Sequence, residues 1–225
     1  MSKEHQIDTT TTARYYINGQ ISDKVKVVWF VFHGYGMLAE DFIKNFDGIS
    51  DENTLIIAPE GTHRYYKRGT RNQISANWMT SDLRDADIKN NTQYLNSVLD
   101  VLFVQGLLTE CKIGVVGFSQ GGPTAFRWVS QLDRSIEMLI AWGTDLPQEV
   151  LNNNQNLRKV NESNIKLVIG SNDEYIDSDK VDDFIIDYSN KGVEFDYHTF
   201  EGGHEIHEET MRYFHARIMN GGQEF

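Results

Sequence analysis

Short runs of β-branched and aromatic residues recur along the chain at positions 14–17, 25–32, 54–58, 112–116, 138–142, 165–169 and 193–200. Several are apolar throughout, the pattern of strands covered on both faces in a parallel sheet. Between them lie longer stretches in which apolar residues return with helical spacing. The clearest spans 81–105, where Ile88, Leu95, Val98, Leu99 and Leu102 form one stripe and Asp, Lys and Asn occupy the rest, with Gly106 ending it. Further helices are predicted at 39–46, 121–132, 178–188 and 205–219, and the Asn-rich segment 152–164 reads as a surface loop. Strands alternating with helices require right-handed crossovers and give an α/β fold, a mostly parallel central sheet flanked by helices on both faces. In such sheets ligands bind at the carboxyl ends of the strands, which directs attention to the residues just after each run.

Residues 1–13 read as a flexible leader and 14–225 as one domain, because no Pro/Ser-rich linker interrupts the alternation. The chain is long enough to bury a core without metal or disulfide staples. Lys and Arg total 21 against 33 Asp and Glu, a net charge of −12. That sign argues against nucleic acid and against anionic lipid as partners. The longest strictly apolar run, 27–32, is far too short for stable membrane insertion. A lone cysteine, Cys111, and a polar N-terminus predict a cytoplasmic protein.

The strongest chemical signal follows the run 112–116: Gly117-Phe118-Ser119-Gln120-Gly121 matches G-x-S-x-G. A serine on a sharp strand-to-helix turn needs small neighbours so that strand and helix can approach, and the helix start aims free N–H groups at it. Such a serine needs a base, and the base an orienting acid. After the run 165–169 comes Gly170-Ser171-Asn172-Asp173-Glu174, and after 193–200 comes Glu201-Gly202-Gly203-His204. Ser119, Asp173 and His204 therefore stand in the order nucleophile, acid, base, each just past a strand. Glu174, Asp177 and Asp145 are competing carboxylates, whereas His207 and His215 fall on the last helix and His198 inside a strand. The loop His33-Gly34-Tyr35-Gly36 can bring a second oxyanion donor close, so the backbone N–H groups of Gln120 and Tyr35 are the expected oxyanion hole, with His33 in support. Met37, Leu38, Trp78, Met79, Trp142 and Leu146 lie near predicted strand ends and are candidates to line an acyl pocket. Neither phosphate-binding glycine pattern nor a zinc ligand set occurs, so no metal or other cofactor is expected.

Together, Phe32 to Gly36, Gly117 to Gly121, Gly170 to Asp173 and Gly202 to His204 resemble the α/β-hydrolase superfamily, and within it the small carboxylesterase/phospholipase group that includes the acyl-protein thioesterases. The G-F-S-Q-G form of the serine turn is its most specific mark, and the likeness runs from about Arg14 to Met219. The resemblance implies an α/β-hydrolase fold without a large cap domain. It also implies a cofactor-free serine carboxylesterase acting on small-molecule esters or thioesters through an acyl-enzyme. Lysophospholipase or peptidase activity would use the same triad, and a non-catalytic binding module would not need all three residues. The eukaryotic thioesterases carry Leu and Asp around the first glycines where this chain reads Gly34-Tyr35-Gly36-Met37, so their lipidated-protein substrates do not carry over. An apolar rim around an uncapped site would suit a homodimer.

Overall fold

 The computed structural model describes residues 2–69, 72–104, 106 and 110–221. In chain order the elements are β1 (Tyr15–Asn18), β2 (Val27–Phe32), α1 (Ala39–Phe42), β3 (Thr54–Pro59), β4 (His63–Tyr66), β5 (Ile74–Asn77), α2 (Arg84–Val104), β6 (Lys112–Phe118), α3 (Gly121–Val129), β7 (Met138–Trp142), α4 (Gln148–Leu151), α5 (Asn154–Asn161), β8 (Asn164–Gly170), α6 (Ser178–Asn190), β9 (Phe195–Phe200) and α7 (Glu208–Met219). Seven strands form one sheet in the order β1-β3-β2-β6-β7-β8-β9, in which only β1 runs antiparallel, pairing Tyr15 with Pro59 and Asn18 with Ile56.

The period of two along β2 divides the interior into two layers. Val28, Phe30 and Phe32 point to the side where α2 brings Leu95, Val98, Leu99 and Leu102 and α3 brings Phe126 and Trp128. Val27, Trp29 and Val31 point to the other side, against Ala39 and Phe42 of α1 and Met211, Phe214 and Ile218 of α7. Every residue of β2 is buried, which explains why its sequence is apolar throughout rather than alternating.

Several boundaries differ from the sequence pattern for identifiable reasons. The segment 152–164 is not a plain loop. Asn153 caps α5 by accepting the Gln155 and Asn156 N–H groups at 3.0 Å each, and Val160 anchors that helix in the core. The predicted helix 39–46 is α-helical only to Phe42 and tightens into a 3-10 turn over Ile43–Ile49. The last helix starts at Glu208 rather than 205, and the long one at Arg84 rather than 81. Its predicted final residue, Gln105, lies outside the described residues. The β4–β5 hairpin has no counterpart in the sequence pattern because its strands are only four residues each, β4 partly exposed throughout and β5 polar at Ser75 and Asn77 although both are buried, so neither carries an apolar run.

Candidate active site

Four parallel strands deliver the central groups, each at its carboxyl end. At the end of β6, Ser119 has φ +50°, a left-handed backbone that a non-glycine residue adopts only at a cost of about 1–2 kcal/mol. Its N–H donates to Trp142 O and its carbonyl accepts from Gly122 N–H, both at 2.9 Å, so the turn is held from two sides. Gly121 has no room for a side chain, because a Cβ there would collide with the Phe32 carbonyl oxygen of β2. This close approach is the physical content of the glycines around Ser119.

The loops after β8 and β9 bring Asp173 and His204 together. His204 Nδ1 lies 2.8 Å from Asp173 Oδ2. The other carboxylate oxygen, Oδ1, accepts the backbone N–H groups of Tyr175 at 2.9 Å and Ile176 at 3.1 Å. The Asp173 side chain is only 1% exposed, so both its oxygens are committed within the protein. The imidazole is flanked by the rings of Phe118 and Tyr175, each with its centroid 4.7 Å away. Gly143, at φ +57° after β7, leaves space for the pair: a Cβ there would stand 3.0 Å from His204 Nδ1 and 3.3 Å from Asp173 Oδ2.

Ser119 and His204 line the same open cleft of about 550 Å³. The loop after β2 adjoins it, since a Cβ on Gly34 would lie 3.2 Å from Ser119 Cβ. Among the described residues, neither the Gln120 nor the Tyr35 N–H has a protein acceptor, whereas the neighbouring Gly36 N–H is taken by Ala76 O. His33 supports this corner. Its Nε2 accepts from Gly61 N–H at 3.0 Å, which leaves Nδ1–H to donate to Gly34 O at 2.7 Å.

None of the six residues expected to line an acyl pocket lines the cleft shared by Ser119 and His204, although Met37 stays near it, a Cβ on Gly34 standing 3.2 Å from both Met37 Sδ and Ser119 Cβ. Trp78, Trp142 and Leu146 are buried to 2% exposure or less, packed as core. Large apolar groups near strand ends gain more by filling the space under the loops than by facing an open cleft. Trp142 Nε1–H donates to Glu205 O at 2.8 Å, and the Leu146 N–H donates to the Tyr188 hydroxyl at 3.0 Å. Met79 lies half-buried against the Arg127 guanidinium, and Met37 and Leu38 are half-buried on the β2 loop, with Met37 bridged to Ala76. The cleft wall is instead built by Asp145, Tyr175, Ile176, Lys180 and Phe184, among others. Pattern reading missed these because they lie on loops and on an exposed face of α6, though Tyr175 stands only two residues after Asp173.

Two supports of this corner lead to predictions. Trp78 donates its indole N–H to His33 O at 2.8 Å, stacks on the His33 ring at 5.0 Å and donates its backbone N–H to Gln120 Oε1 at 3.0 Å. Trp78→Ala is expected to lower stability by about 3–5 kcal/mol in urea unfolding, the usual cost of emptying a buried aromatic site. A loss below about 1 kcal/mol would show that the site collapses without it.

Burial holds the His33 imidazole below its ordinary value, and burial acts in the same direction on His198 and His215. Below about pH 6.5 the unfolded chain protonates these histidines before the folded one does. Their contribution to stability is therefore complete above that pH and is lost as the pH falls through the folded values. Melting temperatures are expected to fall from about pH 7 to about pH 5, less steeply in His33→Gln. An equally steep fall in that variant would exclude His33 as a contributor.

A family model for phospholipase/carboxylesterase matches residues 17–219. The chain belongs to that family. Among solved structures, acyl-protein thioesterase 2 of Zea mays superposes with a TM-score of 0.70 at 13% identity, over 94% of this chain and 100% of that one. A Bacillus cereus carboxylesterase gives 0.65 at 13% identity, over 92% and 94%. A phospholipase/carboxylesterase of Dyadobacter fermentans gives 0.60 at 17% identity, over 94% and 99%. At these identities the likeness is one of fold, and it is the α/β-hydrolase fold of the family. No curated protein matches in sequence. Among the described residues no group of three or more His, Cys, Asp or Glu is arranged to hold a metal ion, and no helix is long and apolar enough to cross a membrane.

Proposed function

We propose that this family member is a serine carboxylesterase in which Ser119, His204 and Asp173 form the triad. The observation that carries the reading is the His204–Asp173 hydrogen bond of 2.8 Å, opening on the same cleft as a serine held at φ +50°. With Nδ1–H donated to Asp173, His204 Nε2 is the unprotonated nitrogen and can accept the Ser119 proton. Ser119 Oγ attacks the ester carbonyl as that proton leaves. The Gln120 and Tyr35 N–H groups receive the oxyanion, a positive helix end behind Gln120 adding to them. Collapse of the tetrahedral intermediate expels the alcohol, protonated by His204. Water then attacks the acyl-enzyme by the same route, releasing the acid and restoring Ser119. Thioesters fit the same sequence of steps with a thiol as leaving group.

Labelling purified protein with a fluorophosphonate, followed by peptide mapping, tests the reading. Stoichiometric adduct on Ser119, with p-nitrophenyl ester turnover lost in step, is expected. Folded protein that turns over esters while Ser119 stays unlabelled would overturn it.

A further inference from the structure

The charges around the cleft are unequal. Its charged wall residues are Asp145, Asp177 and Lys180. Lys180 Nζ lies 3.4 Å from Asp177 Oδ2, so those two offset each other. Asp145 is exposed and forms no ion pair among the described residues. Arg127, which feels the Asp145 charge, is buried behind the wall and shares Glu149 Oε1, at 2.5 Å, with Arg84, at 2.6 Å. Beside the histidine, the exposed Glu174 carboxylate accepts the His204 backbone N–H at 3.3 Å and adds another negative charge near the cleft.

The cleft also presents two aromatic rings, Tyr175 and Phe184, and Tyr175 is 76% exposed although its ring centroid lies 4.7 Å from that of His204. A cation entering the cleft therefore meets an exposed carboxylate that has no ion-pair partner on the cleft wall among the described residues, together with the electron-rich rings. An anion meets carboxylates, and Lys180, the cation of the wall among the described residues, already has a partner.

We propose that the cleft selects esters carrying a positively charged group, with Asp145 as the residue that sets this preference and Tyr175 as the ring against which the cation lies. This rests on the reading of the cleft as the site of ester hydrolysis. Both groups are open to water, so the preference is moderate and declines with salt, because exposed charges are screened over about 10 Å at 0.1 M ionic strength.

The test compares charged and neutral isosteres. A choline ester is set against the ester of its tert-butyl carbon analogue, and the p-nitrophenyl ester of a trimethylammonio acid against that of the matching tert-butyl acid, so that the cation is tried on either side of the scissile bond. An ester with a carboxylate in the same position completes each set. In at least one set, kcat/KM is expected to favour the cation over the neutral isostere by about tenfold at low salt, with the anion poorest. The ratio should shrink toward unity in Asp145→Asn, invert in Asp145→Lys and fall in Tyr175→Leu. Because each ratio is taken within one variant, a change in basal rate does not affect it.

Equal rates for cation and neutral isostere in both sets, or a preference for the anion, would overturn the proposal while leaving ester hydrolysis intact. A preference that survives Asp145→Lys unchanged would remove Asp145 from it. Failure to turn over any ester, with no labelling of Ser119, would instead overturn the hydrolase reading itself.

Discussion

Ser119→Ala is expected to lower kcat for p-nitrophenyl ester hydrolysis by about 10⁴-fold or more, with the protein still folded. Among the described residues, no other hydroxyl on the cleft is held as Ser119 is, at a strand-to-helix turn on the cleft that His204, bonded to Asp173, also lines. The residual rate would come from the N–H groups of Gln120 and Tyr35, which remain after the hydroxyl is removed. The left-handed backbone at Ser119 supplies a second reading from the same position. Ser119→Gly is equally inactive but adopts φ +50° without strain, so its melting temperature is expected to be at least that of Ser119→Ala. Activity within tenfold of the wild type in either variant would remove Ser119 from the mechanism.

That strain shows how the site and the fold are coupled. The turn at Ser119 is held by bonds to Trp142 and Gly122, and Trp142 in turn holds the loop of His204 through Glu205 O. Gln120 ties the same turn to the Trp78–Met79 segment through both ends of its amide, Oε1 to the Trp78 N–H and Nε2–H to Met79 O. The bulky residues near the strand ends thus act by bracing loops that carry the groups proposed to react.

This distinction also explains what the chain revealed before its structure. The placement of Ser119, Asp173 and His204 at one edge of the sheet was legible because each follows an apolar run and because tight turns demand glycine at fixed offsets, both of which are local signals. The layered sheet was legible for the same reason: buried parallel strands such as β2 are apolar at every position. The lining of the cleft was not. Whether Trp78 or Tyr175 faces solvent depends on which segments pack over it, and Trp78 has no exposure while Tyr175 is 76% exposed. Hydrophobicity alone ranks these two in the wrong order for a cleft wall. The Asn-rich stretch misled in another way, since asparagine is poor inside a helix but effective at its start, as Asn153 is for α5.

Asp173→Asn is expected to lower kcat by about 10⁴-fold with little change in shape, because an amide cannot serve both sets of partners that the carboxylate serves. Oδ1 accepts two backbone N–H groups, from Tyr175 and Ile176, while Oδ2 accepts from His204 Nδ1–H. If the asparagine NH₂ turned toward the two backbone donors, donors would face donors at a site only 1% exposed. The oxygen therefore stays with the backbone pair and the NH₂ faces His204. A donor there requires an unprotonated Nδ1, which moves the imidazole proton to Nε2 and leaves no base for Ser119. The variant should accordingly react far more slowly with a fluorophosphonate than the wild type, and the NMR shifts of the His204 ring nitrogens should report the exchanged tautomer. A rate within tenfold of the wild type would show that Asp173 does not set the tautomer, and the acid of the triad would have to be sought at Glu174, whose carboxylate already reaches the His204 backbone N–H.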